Sequence, residues 1–295
     1  VITTQEHALR RRGARDSALE PCRAWLPRDK RLELLGGGPC GSFAARGGAP
    51  DDQWQPTSVT GFVLDLDPRF GVTLDSSLGS PHVAQITNRA PGSASDAFAN
   101  SNTSLQPAYE ATGWIGPFAR PSMLFDGVGH YLICTTSLAS TLAGGSDTPF
   151  TLFLVAQNLT LSGIRCFTGF FRSSSTAPLM DLFTSGGLYR VNRRDDSATS
   201  QNVTGGTPDT SKHIFELIHT GTTTTVKVDG IAAINAAAQD VGAITFDRMA
   251  IGSTYANSSP GDWANMRLAR LLGFTGALGT TDADYVRAQL TALYF

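Results

Sequence analysis

The sequence predicts an all-β protein: two antiparallel sheets stacked as a sandwich, closed by one C-terminal helix and preceded by an irregular N-terminal arm. Three observations predict it. Short apolar runs recur at close spacing, each bounded by Gly, Pro, Asn or Asp, with no helical stretch between them. Thr222–Val228, Asp229-Gly230 and Ile231–Ile234 form a hairpin pattern, because Asp-Gly supplies the positive φ angles of a two-residue turn. A helical repeat shows clearly only near the end of the chain.

The arm spans residues 1–57 and the sandwich 58–295. Arg10, Arg11 and Arg12 form one basic cluster, and Arg28, Lys30 and Arg31 another. Gly36–Gly38 and Gly47-Gly48-Ala49-Pro50 break any regular element. Trp25 and three leucines are too few for a separate core, so the arm is expected to lie against a partner surface.

The strands follow in order. Phe62–Asp67 is stopped by Pro68. Met123–Phe125 leads into an Asp126-Gly127 turn, and Tyr131–Cys134 follows it. Phe150–Ala156 is apolar on both faces except at Thr151, as in a central strand covered on two sides. Ile164–Arg172, Leu179–Phe183, Leu188–Asn192, His213–His219, the hairpin, Ala243–Ile251 and Asn265–Phe274 complete the set. Two such sheets pack through their apolar faces about 10 Å apart. The closing helix has Thr281 as N-cap and Val286, Leu290 and Leu293 as one apolar stripe.

Composition narrows the function. Residues 1–50 hold nine Arg/Lys and five Asp/Glu, a balance of +4; the other 245 hold fourteen and twenty, a balance of −6, which together give the net −2. The acidic body offers no electrostatic footprint for nucleic acid. No apolar run approaches the roughly twenty residues that span a bilayer, and the first residues do not read as a signal peptide. Cys22 and Cys40 are candidates for a bridge within the arm, and the sequence leaves their pairing open. Cys134 and Cys166 lie in apolar runs and read as buried thiols.

The markers Phe70-Gly71-Val72-Thr73-Leu74-Asp75, Pro107-Ala108-Tyr109, Met123-Leu124-Phe125-Asp126-Gly127, Pro149-Phe150-Thr151-Leu152-Phe153, Val226-Lys227-Val228-Asp229-Gly230 and Met249-Ala250-Ile251-Gly252-Ser253 occur in an order that resembles the bacterial and phage LamG-like branch of the concanavalin A-like lectin/glucanase superfamily. The resemblance covers about residues 58–295 and leaves the arm without a counterpart. One departure is Asp65, where the opening strand often has Trp before its Asp. The resemblance implies a jelly-roll sandwich that binds glycans or sits on surfaces. It also allows a Ca2+ site of loop oxygens, for which Asp126, Asp181, Asp195 and Asp196 are the loop or strand-end candidates; Asp126 reads first as the cap of its turn. No other cofactor is expected.

Catalysis is not expected. Glycosidases of this fold place carboxylates two residues apart on one strand. Three of the five Glu are in the arm, and Glu110 and Glu216 are isolated. Asp65 and Asp67 share a face but stand at a strand end, which suits an edge, turn or arm contact. His213 and His219 are too far apart to ligate a metal together. Sugar stacking needs an exposed aromatic with polar neighbours; Trp114 in the loop sequence Ala-Thr-Gly-Trp-Ile-Gly-Pro and Trp263 beside Asp262 and Asn265 are the candidates, each of which also fits the end of a sandwich as a plug. The first functional reading is a virion surface component of a phage, a capsid decoration or tail protein, docked to other virion proteins or to its own copies through the arm and touching glycans. The alternative is a secreted, extracellular carbohydrate-binding module. A polysaccharide hydrolase or lyase ranks third.

Overall fold

The computed structural model describes residues 53–295, apart from residues 94, 146, 147, 176, 178, 257 and 258 and the side chains of 255 and 256. Along the chain run β1 (Phe62–Leu66), β2 (Val72–Asp75), β3 (His82–Thr87), β4 (Ala97–Ala99), β5 (Ala108–Ile115), β6 (Ala119–Asp126), β7 (Leu132–Cys134), α1 (Leu138–Ala143), β8 (Phe150–Asn158) and β9 (Arg165–Phe171). There follow β10 (Leu179–Ser185), β11 (Leu188–Arg194), β12 (Ser200–Gly205), β13 (Lys212–His219), β14 (Thr223–Val228), β15 (Ile231–Ala238), β16 (Arg248–Ile251), β17 (Thr254–Ala256), β18 (Ser259–Gly261), β19 (Asn265–Thr275) and α2 (Thr280–Tyr294).

Antiparallel pairing sorts these strands into two layers. The first runs β15-β14-β13-β8-β19. The long β19 then pairs with β6 through its first half and with β1 through its second, and β5 lies outside β6. The second layer runs β2-β3-β4-β7-β16-β9-β10-β11-β12. A single pairing, His82 with Ala108, joins the layers at one edge. The apolar core lies between them, with Leu152 and Leu154 of β8, Phe215 and Leu217 of β13 and Leu268 and Leu271 of β19 meeting Phe167 and Phe170 of β9, Met180 of β10 and Met249 of β16.

Strand β8 shows why its sequence is apolar on both faces. Phe150, Leu152, Leu154 and Ala156 enter the central core, while Phe153 and Val155 face outward under α2. The helix seats Val286, Leu290 and Leu293 on that outer face, so the stripe read from the sequence is the buried one. It begins at Thr280 behind Gly279 and has no side-chain cap, so Thr281 is inside the helix and not its N-cap. At the β14–β15 turn Asp229 and Gly230 hold φ of 51° and 84°, the left-handed pair that Asp-Gly was expected to supply.

Trp54 and Gln55, which the sequence reading places in the arm, pack on the sandwich: the Trp54 carbonyl accepts a hydrogen bond from Arg270 at 2.7 Å, and Gln55 donates to Asp65 at 3.1 Å. Two further expectations need correction. The strand expected over Ala243–Ile251 is only Arg248–Ile251. The preceding stretch is irregular because Asp195 and Asp196 accept its Gly242 and Thr245 N–H groups, and Val241, Ile244 and Phe246 plug the core from a loop. Trp114 lies in strand β5 and not in a loop.

Candidate functional site

The outer face of the second sheet carries an open groove of about 530 Å³. Its floor is built by register. Arg248 of β16 stands opposite Phe171 of β9, and Ala250 lies between Gly169 of β9 and Ile133 of β7. Ala97 and Ala99 of β4 extend the floor beyond β7, where Ile133 pairs with Ala99. Small side chains along these strands leave the depth, and half-buried Tyr131 and Ile133 supply aromatic and apolar surface, whereas Phe171 is buried, 1% exposed. Ser95, Ser101, Thr135, Thr136 and Ser173 place hydroxyls around the rim.

Arg248 is the charged group of the groove. Its Nη1 donates to the Asp247 carbonyl at 2.8 Å and to the Thr135 carbonyl at 3.4 Å, which fixes the guanidinium and leaves the Nε and Nη2 donors for a ligand. Asp247 accepts from the Ser173 backbone and hydroxyl, at 2.8 and 2.9 Å, and its carboxylate also lies 3.8 Å from Arg248 Nη1. Asn100 is spent on the wall, donating to the Leu105 and Tyr131 carbonyls. Among the described residues no Asp or Glu lines this groove. Its chemistry is therefore an aromatic-apolar floor, a fixed cation and hydroxyl donors, which suits a polar ligand with an apolar face.

The residues singled out in the sequence are spread over other parts of the molecule. Trp114 is fully buried, 0% exposed, and its indole donates to the Tyr294 carbonyl at 3.0 Å. It is a packing plug between β5 and α2 and cannot stack on a sugar. Trp263 is half-buried with its indole nitrogen enclosed and unpartnered, and exposed Asp262 and half-buried Asn265 remain beside it at one end of the sandwich. Asp126 is engaged elsewhere than in metal binding: one carboxylate oxygen accepts the N–H groups of Val128, Gly129 and His130 at 2.9, 3.0 and 3.1 Å. Those bonds close the turn after β6 and hold its pKa below the ordinary value against the opposing effect of burial. Asp195 is likewise spent on loop N–H groups. Among the described residues no three His, Cys, Asp or Glu side chains are placed to hold a metal.

Asp181 leans across Gly169, where an added Cβ would meet its Oδ1 at 2.2 Å, and burial drives its pKa well up. Asp65 and Asp67 are fully buried against Arg270, which bonds Asp65 at 3.0 and 3.1 Å and lies 3.9 Å from Asp67. Arg69 holds Asp67 at 2.6 Å. Two carboxylates neutralised this way in the interior are not an acid and nucleophile facing a substrate. Glu110 pairs with Arg267 at 2.7 Å and Glu216 with Arg287 at 2.6 Å. His213 is held between Asp209 and Asp229 at 2.8 and 2.7 Å. Cys134 and Cys166 are free and buried. The arm residues Arg10, Arg11, Arg12, Trp25, Arg28 and Arg31, with Cys22 and Cys40, lie outside the described residues.

The groove residues were missed because they come from separate segments and none is unusual in its local context. The strand alternation in β9 and β16 is the one signal that could have found Phe171 and Arg248, since it turns them away from the core.

No protein-family model matches the sequence, and no curated protein matches it. Solved structures do. A botulinum neurotoxin type C structure, from a toxin whose passage into cells depends on interaction with two ganglioside molecules, is 10% identical with a TM-score of 0.51; the match covers 78% of this chain and 51% of that one. The Trypanosoma rangeli sialidase is 12% identical with a TM-score of 0.52, covering 79% of this chain and 33% of that one. The chain has a jelly-roll sandwich fold. It spans about half the length of the toxin structure and a third of the sialidase. At these identities the likeness reaches the fold alone and singles out neither the LamG-like nor the phage branch.

Proposed function

We propose that this protein is a non-catalytic carbohydrate-binding module whose ligand lies in the groove on the outer face of the second sheet. The observation that carries this reading is the groove itself: Tyr131 and Ile133 beside the fixed guanidinium of Arg248, ringed by hydroxyls, with no carboxylate among the described lining residues. A sugar ring presents an apolar face to the aromatic surface and hydroxyls to the polar rim. The ganglioside interaction of the toxin with the same fold supports the reading.

A glycan array is the test. Tyr131→Ala and Arg248→Gln are expected to reduce binding at least about tenfold, the loss of one stacking or charge-assisted contact, while Trp263→Ala leaves it unchanged. Binding lost with Trp263→Ala and kept in the groove variants would move the site to the end of the sandwich. Attachment to a virion through residues 1–52 is a separate proposal. Its test is deletion of that segment: a truncated body that still joins its particle refutes it.

A further inference from the structure

We propose a second site, for an oxyanion, on the outer face of the first sheet. Register places Arg267 of β19, Gln157 of β8 and Lys212 of β13 side by side across three strands. They face outward, since their neighbours Met266, Leu268, Ala156 and Phe215 point into the central core. Together with Glu110, Thr112 and Ile115 they line a groove of about 510 Å³. The β5–β6 ladder is irregular there, between Glu110 and Trp114, which opens the edge of the sheet over this row.

The cations differ in commitment. Arg267 spends Nε and Nη2 on Glu110, at 2.7 and 3.2 Å. Lys212 has no carboxylate partner among the described residues. Its ammonium donates once, to the Ile115 carbonyl, and stands 5.2 Å from the centroid of the Trp114 ring. Two of its three donors remain, with Nη1 of Arg267 and the second amide N–H of Gln157 alongside. A lysine held by a carbonyl and an indole has already lost its rotamer freedom, so capturing an anion costs less than at a free surface lysine. The groove offers no exposed aromatic face, because Trp114 is buried beneath Lys212, so it is unsuited to stacking on a neutral sugar. The acidic body makes one oxyanion, such as the sulfate ester of a single acidic sugar, a better ligand than a polyanion.

The test is an NMR titration of the full chain at low chloride with inorganic sulfate, N-acetylglucosamine 6-sulfate and N-acetylglucosamine. Shifts are expected at Lys212, Gln157 and Ile115 with both anions and not with the neutral sugar. Lys212→Met keeps the stem over the indole and removes the charge; it is expected to weaken both anions about tenfold, with an unchanged melting temperature. Tyr131→Ala is expected to leave them unchanged. Tighter binding of the sugar sulfate assigns the source to a saccharide and equal binding assigns it to the free ion; both uphold the site. Undiminished binding in Lys212→Met, equal shifts with the neutral sugar, or no shift at Lys212 with either anion would overturn it.

Discussion

Arg270 illustrates what a single residue contributes here. Its guanidinium is fully buried, bonded to Asp65 and to the Trp54 carbonyl, and lies 5.3 Å from the Trp54 ring centroid. The spacing of Asp65 and Asp67 on one face was readable from the sequence. Their role was not, because the decisive partner is 205 residues away. Removing it would leave buried carboxylates without a counter-charge, so Arg270→Met is expected to cost about 3–5 kcal/mol in a denaturant titration. His213 is a second case. Burial lowers its pKa, but the hydrogen bonds and charges of Asp229 and Asp209 raise it more, to a net value above the ordinary 6.5. The sign follows from linkage: the stabilisation is complete below 6.5 and is lost as pH rises through the folded value. Stability measured across that window is expected to fall with rising pH, and His213→Gln to flatten the slope. A wild-type slope that persists in the variant would assign it to other groups.

Among the elements, those with strong internal pattern were the legible ones. β8, β13, the β14–β15 hairpin, β19 and α2 all announce themselves, because burial on one or both faces forces a period into the sequence. Strands β2 and β12 are short of apolar residues, and the apolar residues of β5 do not alternate, so no period marks any of the three. The stretch before β16 misled for the opposite reason: its apolar residues are buried, but from a loop pinned by Asp195 and Asp196. The docking of α2 gives a direct prediction. Leu290 is fully buried against Phe153, Val155 and Leu272. Leu290→Ala is expected to destabilise by about 2–5 kcal/mol. A loss below 1 kcal/mol would mean that the helix adds little to the sandwich.

For the whole molecule, the all-β sandwich was legible and the groove was not. A fold follows from patterns that repeat along the chain, whereas Tyr131, Phe171 and Arg248 meet only through strand order, which places β7, β16 and β9 side by side although they are far apart in sequence. The aromatic signal pointed to tryptophans instead, and one of them, Trp114, serves packing. The central claim is that an oligosaccharide rests on this face and is not cleaved. The most direct measurement is to follow the backbone amides of the isotope-labelled protein by NMR as an array-selected oligosaccharide is added, and to follow the sugar in the same tube. The account predicts saturable shifts at Tyr131, Ile133, Phe171 and Arg248 and an intact sugar after prolonged incubation. Shifts confined to other faces, or the appearance of new reducing ends, would contradict it.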